Sequence, residues 1–118
     1  MVDNRLTEHR IDRGAIVEMP REVDYYIRDQ VWSQLSTLLD AGLRRLVVDM
    51  SGTVFCDSSG LVALMRVRQR AEESGCSLVL VTPHLTVCRA FEMAGADTLF
   101  ERYSSVHEAL TATSGAPH

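Results

Sequence analysis

The sequence contains no lysine, and all twelve of its basic residues are arginine. This absence excludes functions that need a lysine amine, such as phosphate binding by a Walker A loop, Schiff-base catalysis and Ser-x-x-Lys acylation. Receiver domains of two-component systems have a similar length, but they also normally depend on an active-site lysine. The search for a function therefore turns to other side chains.

Cysteine and long apolar stretches are also scarce. The three cysteines (Cys56, Cys76 and Cys88) form no Cys-x-x-Cys pair, which favours a reduced cytoplasmic protein. No stretch approaches 18 apolar residues, and Met1 to Arg5 form no apolar leader, so neither a membrane span nor a secretion signal is predicted.

The 118 residues, 46% of them hydrophobic, are typical of a single globular domain. The formal charge is −4, and the densest basic run, Arg66, Arg68 and Arg70, is followed at once by Glu72 and Glu73. Nucleic-acid binding needs clustered cations to neutralise phosphates. We therefore predict no direct nucleic-acid partner and interpret this run as a solvated helix face.

Apolar runs and helical stripes alternate along the chain. Residues 46–50 and 78–81 are apolar without alternation, as in parallel strands covered on both faces. With the helix between them they make a βαβ unit. The stripe that predicts this helix consists of Leu61, Leu64, Met65 and Arg68/Ala71, and Gly75 closes it.

The remaining segments complete an α/β domain with a mixed sheet of four or five strands and about four helices. We predict one domain over residues 1–112 and a flexible tail over 113–118. Strands are predicted at 6–11 and 15–19, and an edge strand at Leu99–Phe100. Two further helices are predicted from apolar stripes: the first has Ile27, Val31, Leu35, Leu38 and Leu39 and ends at Gly42, and the second, at 86–94, has Val87, Ala90/Phe91 and Ala94 on one side and ends at Gly95. A last short helix is predicted from the Ser105-x-x-Glu108 capping box through Leu110.

The loop at residues 51–61, which ends in Asp-Ser-Ser-Gly-Leu, carries the strongest functional signal. Asp57 or Ser58 can cap the next helix, which leaves Ser59 and Gly60 in its first turn, where free N–H groups and the helix dipole tolerate a phosphate. Gly60 is expected to let a partner's backbone or a nucleotide approach closely. Because Ser and Asp are also the commonest N-caps, the same pattern fits a purely structural cap.

Catalytic interpretations of this loop fail at specific positions. A nucleophile elbow needs Gly where Cys56 stands, and a thiolate phosphatase loop needs Arg where Val62 stands. His84 is the best-placed histidine, and it fits a turn or cap better than a general base. His9 and His107 have no partner at metal-ligand spacing, so neither a catalytic nor a metal site is predicted.

Two groups of side chains have more than one interpretation. Cys56 and Cys88 are expected to be small buried apolar residues rather than reactive thiols. Tyr25, Tyr26 and Trp32 cluster early in the first helix, where they fit a partner face and partial core burial equally well.

At the loop of residues 51–61 the chain resembles the STAS-domain family, specifically the bacterial anti-sigma factor antagonists, or anti-anti-sigma factors. The resemblance covers about residues 15–110. It rests on the strand and D-S-S-G-L loop at 46–52 and 55–61, on Glu22-Val23-Asp24 in place of the family's E-L-D, and on the following strand and helix at 78–83 and 87–100. Arg21 departs from the pattern, because the family usually has Gly there.

The resemblance implies a partner-switching cycle. Ser59, with Ser58 as second choice, would be phosphorylated by a partner that is both anti-sigma factor and ATP-dependent serine kinase. The unphosphorylated form would bind that partner and free the sigma factor, and a metal-dependent Ser/Thr phosphatase would reset the cycle without any cofactor on this chain. The partner-binding residues implied by position are Asp24, Asp57, Ser58, Gly60 and Leu61.

Two other functions compete with this one. The chain could be a STAS scaffold or a subunit of a larger regulatory assembly with no phosphorylation cycle. It could also be an enzyme acting on a small molecule at the sheet edge, although the sequence offers neither lysine nor a catalytic triad. No membrane partner is expected, and homodimer formation is left open.

Overall fold

The fold is taken from a computed structural model, which describes residues 6–82 and 84–115 and the side chains of these residues up to 112. Within those residues the elements follow the predicted order, with two additional short strands. The elements are β1 (Thr7–Ile11), β2 (Gly14–Glu18), β3 (Glu22–Val23), α1 (Arg28–Asp40), β4 (Arg45–Asp49), β5 (Phe55–Cys56), α2 (Ser58–Glu73), β6 (Ser77–Val81), α3 (Leu85–Met93), β7 (Glu101–Tyr103) and α4 (Val106–Gly115).

The main sheet has five strands in the order β1-β2-β4-β6-β7. β1 pairs antiparallel with β2, and the remaining neighbours pair in parallel. The predicted mixed sheet and the βαβ unit β4-α2-β6 are therefore confirmed. β3 and β5 form a separate two-stranded parallel sheet.

Both faces of the main sheet are covered, as the apolar runs predicted. Leu46 and Val48 of β4 belong to the large core cluster that contains the buried residues of α1, α2 and α3. Val47, between them, belongs to a smaller cluster with Ala109 of α4. Successive side chains of a strand point to opposite faces, so the buried middle of β4 needs apolar residues at consecutive positions.

Three predicted helix stops are confirmed by the backbone. Gly42, Gly75 and Gly95 follow α1, α2 and α3 with φ of 84°, 72° and 71°. A residue with a Cβ is strained in this left-handed region of φ, so glycine can end each helix with little backbone strain.

The prediction of an edge strand at Leu99–Phe100 is wrong. These residues lie in a turn, and the strand begins at Glu101. Phe100 is buried, with its ring edge-on to Phe91 at a centroid distance of 5.6 Å. Its apolar character thus reflects the core under α3 rather than strand pairing.

The helical stripes are corrected at two positions and at one end. Met65 and Ala94 were predicted on buried faces, but both are exposed, because α2 buries a narrower face than its apolar residues suggest and α3 ends at Met93, before Ala94. α4 begins with Ser105 Oγ accepting from Glu108 N at 3.0 Å, and it continues past Leu110 to Gly115. The predicted tail thus starts inside a helix, and residues 116–118 lie outside the described residues.

Candidate functional site

The short sheet β3–β5 brings together two of the segments that carried the family resemblance, Glu22-Val23-Asp24 and the loop at 55–61. Val23 pairs with Cys56, and Asp57 N donates to Val23 O at 3.2 Å. Just before this pairing, Val54 N donates to Arg21 O at 2.8 Å, and the buried Thr53 hydroxyl donates to Pro20 O at 2.8 Å. The Glu-Val-Asp segment and the Asp-Ser-Ser-Gly-Leu loop therefore form one continuous surface.

Asp57 holds this surface together through both carboxylate oxygens. Oδ1 accepts from Gly60 N at 2.9 Å and caps α2, which settles the choice between Asp57 and Ser58 as N-cap. Oδ2 accepts from Tyr25 N at 3.2 Å. The neighbouring Asp24 turns the chain into α1, because its Oδ1 accepts from Tyr26 N at 3.0 Å. One carboxylate thus fixes the first turn of α2 to the segment before α1.

Gly60 plays a different role from the one expected. It is buried, and a Cβ at this position would lie 2.2 Å from Val23 O and 2.9 Å from Val23 C. The close approach that this glycine permits is made by the chain's own β3, so the expectation of a partner's backbone or a nucleotide beside it is wrong. Leu61 is buried as well, and both residues support the loop from below.

Ser58 and Ser59 lie in the first turn of α2, Ser58 exposed and Ser59 half-buried. Both line a shallow groove of about 360 Å³ between the N-terminal halves of α1 and α2. The other residues that line this groove, which we call the serine groove, are Arg28, Asp29, Val62, Ala63 and Arg66.

The structure separates the three aromatic residues. Tyr25 and Tyr26 precede α1 and are 54% and 87% exposed, with their rings edge-on at 5.6 Å. Trp32 lies within α1, half-buried and packed against the core. The tyrosine side chains are therefore available to a partner, whereas the tryptophan side chain packs mainly against the core.

Two arginines complete the groove: Arg28, which the sequence reasoning did not single out, and Arg66, which it interpreted as part of a solvated helix face. The guanidinium carbon of Arg28 lies 4.0 Å from the Tyr25 ring centroid, and that of Arg66 lies 4.3 Å from the Trp32 ring centroid. The sequence offers a spacing signal for Arg28 only, since Arg28 and Trp32 are one helical turn apart on α1. Their convergence with Arg66 depends on how α1 packs against α2.

The structure gives no catalytic arrangement to His84 or the cysteines. His84 occupies the N-cap position of α3, and its Nε2 lies 2.8 Å from Ser51 O. Cys56 is buried, and burial together with the Asp57 carboxylate raises its pKa to about 12. Half-buried Cys88 contacts Thr82 O through its Sγ at 3.1 Å. Among the described residues, no three His, Cys, Asp or Glu side chains are grouped as metal ligands.

The raised pKa of Cys56 predicts a loss of stability at alkaline pH. The thiol stays neutral in the folded chain up to about pH 12, whereas the unfolded chain ionises from about pH 9. The contribution of the Cys56 thiol to the free energy of unfolding is thus fully present below pH 9 and is lost as the pH rises towards 12. Denaturant titrations at several pH values should show this fall, and Cys56→Ala should reduce it. An equal fall in the variant would mean that other groups, including Cys76, cause it.

Comparison with known proteins agrees with this fold. Residues 6–109 match the STAS domain, so the chain belongs to the STAS-domain family. The anti-sigma factor antagonist SpoIIAA in its unphosphorylated form is similar, with a TM-score of 0.80, 19% identity and coverage of 97% of this chain and 100% of that one. Phosphorylated SpoIIAA, a Bacillus cell fate determinant, matches with a TM-score of 0.71, 18% identity and coverage of 92% and 99%.

Two further solved structures extend the comparison. An anti-sigma factor antagonist from Mycobacterium paratuberculosis has a TM-score of 0.76 at 24% identity, with 92% of each chain covered. A sulfate transporter family protein from Wolinella succinogenes has a TM-score of 0.78 at 16% identity, with 86% of this chain and 85% of that one covered. At these identities the likeness establishes the fold alone. In this chain, none of the helices described is long and apolar enough to cross a bilayer.

Proposed function

We propose that this chain is an anti-sigma factor antagonist that works by partner switching. Its unphosphorylated form binds an anti-sigma factor that is also a serine kinase, and the sigma factor is released. The kinase then phosphorylates Ser59 and the complex dissociates, until a Ser/Thr phosphatase removes the phosphate. The observation that carries the proposal is the pair Ser58–Ser59 in an accessible first helical turn that Asp57 fixes to the Asp24–Tyr25 segment.

The contacts around Ser59 suit a switch of this kind. A kinase needs a hydroxyl that it can reach on a rigid support, and Ser59 lies on a helix whose cap, Asp57, also accepts from the N–H of exposed Tyr25. A phosphoserine adds about −1.5 to −2 charges. In a close interface on a chain of net charge −4, this charge brings repulsion and a desolvation cost. Phosphorylation therefore weakens the same interface that presents the serine.

The proposed binding surface follows from the exposure of its residues. Asp24 is half-buried, and Ser58, Tyr25 and Tyr26 are exposed. Gly60 and Leu61 contribute by holding this surface in place from beneath. Ser58 is more exposed than Ser59, so it remains the second candidate for the phosphate.

The proposal describes a regulatory binding protein in the cytoplasm rather than an enzyme. Its three cysteines are free thiols, which is typical of a reducing compartment, and a kinase partner requires cellular ATP. Chemistry is then supplied by the partners, and this chain supplies the hydroxyl that accepts the phosphate.

The test is a pull-down of partners from the source cell with wild type, Ser59→Ala and Ser59→Asp. Ser59→Ala should retain a kinase-like anti-sigma factor more strongly than wild type. Ser59→Asp should bind it about tenfold more weakly, equivalent to about 1.4 kcal/mol. Mass spectrometry should find phosphate on Ser59 of the recovered wild type. Ser33→Asp is the matched control, since it adds the same charge to an exposed position of α1.

A second candidate function is a subunit of a larger regulatory assembly without a phosphorylation cycle. An apolar groove of about 340 Å³ between β5 and α3 favours it, because Phe55, Leu85 and Met93 are all exposed there. An unmodified Ser59, an identical partner set for all variants and a high mass in light scattering would replace the first proposal with this one.

A further inference from the structure

The serine groove is basic at a point where the chain as a whole is acidic. Arg28 of α1 and Arg66 of α2 line it from opposite helices, with Ser58 and Ser59 at one end. The net charge of the chain is −4. Two guanidinium groups beside the proposed phosphate acceptor are therefore a local exception to the overall charge.

Neither guanidinium is firmly paired with a carboxylate. Arg66 stacks on Trp32, and no carboxylate lies within ion-pair distance of it among the residues that the structure describes. Arg28 stacks on Tyr25 and makes only a 3.9 Å contact with Asp29, whose side chain is 95% exposed. Stacking on an aromatic face is weaker than a charge-assisted bond to phosphate. Both guanidinium groups can therefore leave their aromatic rings and pair with a phosphate dianion nearby.

The reach of the side chains permits this exchange. Ser59 and Arg66 are seven residues apart on α2, a rise of about 10.5 Å. Helical side chains lean towards the N-terminus, so Arg66 leans along the groove in the direction of Ser59. A phosphoserine side chain shortens the remaining gap. Arg28 lines the same groove from α1 and approaches from the other side.

We propose that the serine groove is a built-in receptor for a phosphate on Ser59, in which Arg28 and Arg66 leave their aromatic rings and pair with the phosphate oxygens. This inference rests on the proposed function, since it assumes that Ser59 carries the phosphate. The phosphorylated state is then an ordered conformation of its own, with the phosphate folded into the groove and not simply exposed to a partner.

The exchange also changes the surface around the groove. When Arg66 leaves Trp32, the indole face becomes accessible to water. When Arg28 leaves Tyr25, one face of an exposed tyrosine loses its cation. Phosphorylation would thus alter the aromatic part of the proposed partner surface as well as its charge.

Two carboxylates near Ser59 disfavour the dianionic form of a phosphate there, so the arginines decide whether its second pKa is raised or lowered. Asp29 lines the groove, and Asp57 precedes Ser59 by two residues with both oxygens occupied by backbone N–H groups. Alone, these acids would raise the second pKa of the phosphate above its usual value of about 6. Two paired guanidinium groups favour the dianion and lower it.

The experiment places phosphoserine at position 59 of the full chain by genetic-code expansion, without any kinase. A ³¹P NMR titration should give a second phosphate pKa between about 5 and 5.5. The double variant Arg28→Gln/Arg66→Gln should return it to about 6 or higher. Arg68→Gln is the matched control, because Arg68 pairs with Glu72 at 2.8 Å and lies outside the groove, so the low value should persist.

Intrinsic fluorescence gives a second readout, because Trp32 is the only tryptophan of the chain. Phosphoserine at position 59 should move its emission to longer wavelength, and in Arg66→Gln the phosphate should cause no further change. A phosphate pKa at or above 6 in the chain with both arginines overturns the inference, whatever the fluorescence shows. Since no kinase or partner is used, this result is independent of whether the partner-switching proposal holds.

Discussion

Gly60→Ala should destabilise the fold by about 3 kcal/mol, at the upper end of the range for overpacking. The added Cβ would lie 2.2 Å from Val23 O. The nearest obstructing atom, Val23 O, and Val23 C belong to the backbone of β3, so a rotation of the Val23 side chain alone cannot relieve the contact. Either β3 must separate from β5 or the first turn of α2 must shift, and each change breaks contacts at the site.

The measurement is the free energy of unfolding from a denaturant titration of both proteins. Gly52→Ala is the matched control, since a Cβ at Gly52 meets nothing within 4 Å, and its stability should stay within about 0.5 kcal/mol of wild type. A Gly60→Ala protein as stable as Gly52→Ala would mean that β3 yields easily, which would contradict a rigid support for Ser59.

Asp57→Ala should cost roughly 1–2 kcal/mol of stability. The substitution removes the cap from Gly60 N at 2.9 Å and the acceptor of Tyr25 N at 3.2 Å. Asp57→Asn should cost less, because an amide oxygen can still accept one of the two N–H groups. The ordering of the two variants therefore tests whether both contacts contribute.

Thermal and denaturant unfolding of the two variants give the comparison, with Asp29→Ala as control. Asp29 has an almost fully exposed side chain, so its loss should change stability by less than about 0.5 kcal/mol. Equal stability of Asp57→Ala and wild type would contradict the role of Asp57 in joining α2 to the Asp24–Tyr25 segment. If Asp57→Asn is stable but binds the partner more weakly, the same two contacts also contribute to partner recognition.

Most of the main sheet could be predicted from local patterns. The stretches 46–48 and 78–81, within the predicted runs 46–50 and 78–81, are apolar at consecutive positions because both faces of β4 and β6 are covered. The edge strand was misplaced for a related reason. Phe100 is apolar because it packs on Phe91, and a pattern of two residues does not distinguish core packing from strand pairing.

The strands β3 and β5 could not be predicted in the same way. Each has two residues, which is too short for any periodicity to be recognised. Their pairing joins residues that are 33 positions apart in the sequence, Glu22 with Phe55 and Val23 with Cys56. The resemblance to known antagonists marked both segments as functional, but it did not indicate that they lie side by side.

The sequence by itself determined the class of fold, the glycine stops of α1, α2 and α3 and the position of Ser59, because spacing, glycine conformation and capping act within a few residues of the chain. Only the tertiary structure decided what Gly60 packs against and which cations lie beside Ser59. Arg28 and Arg66 converge on the serine groove because α1 packs against α2. Such a contact between distant segments depends on the packing of whole elements, and no local pattern in the chain encodes it.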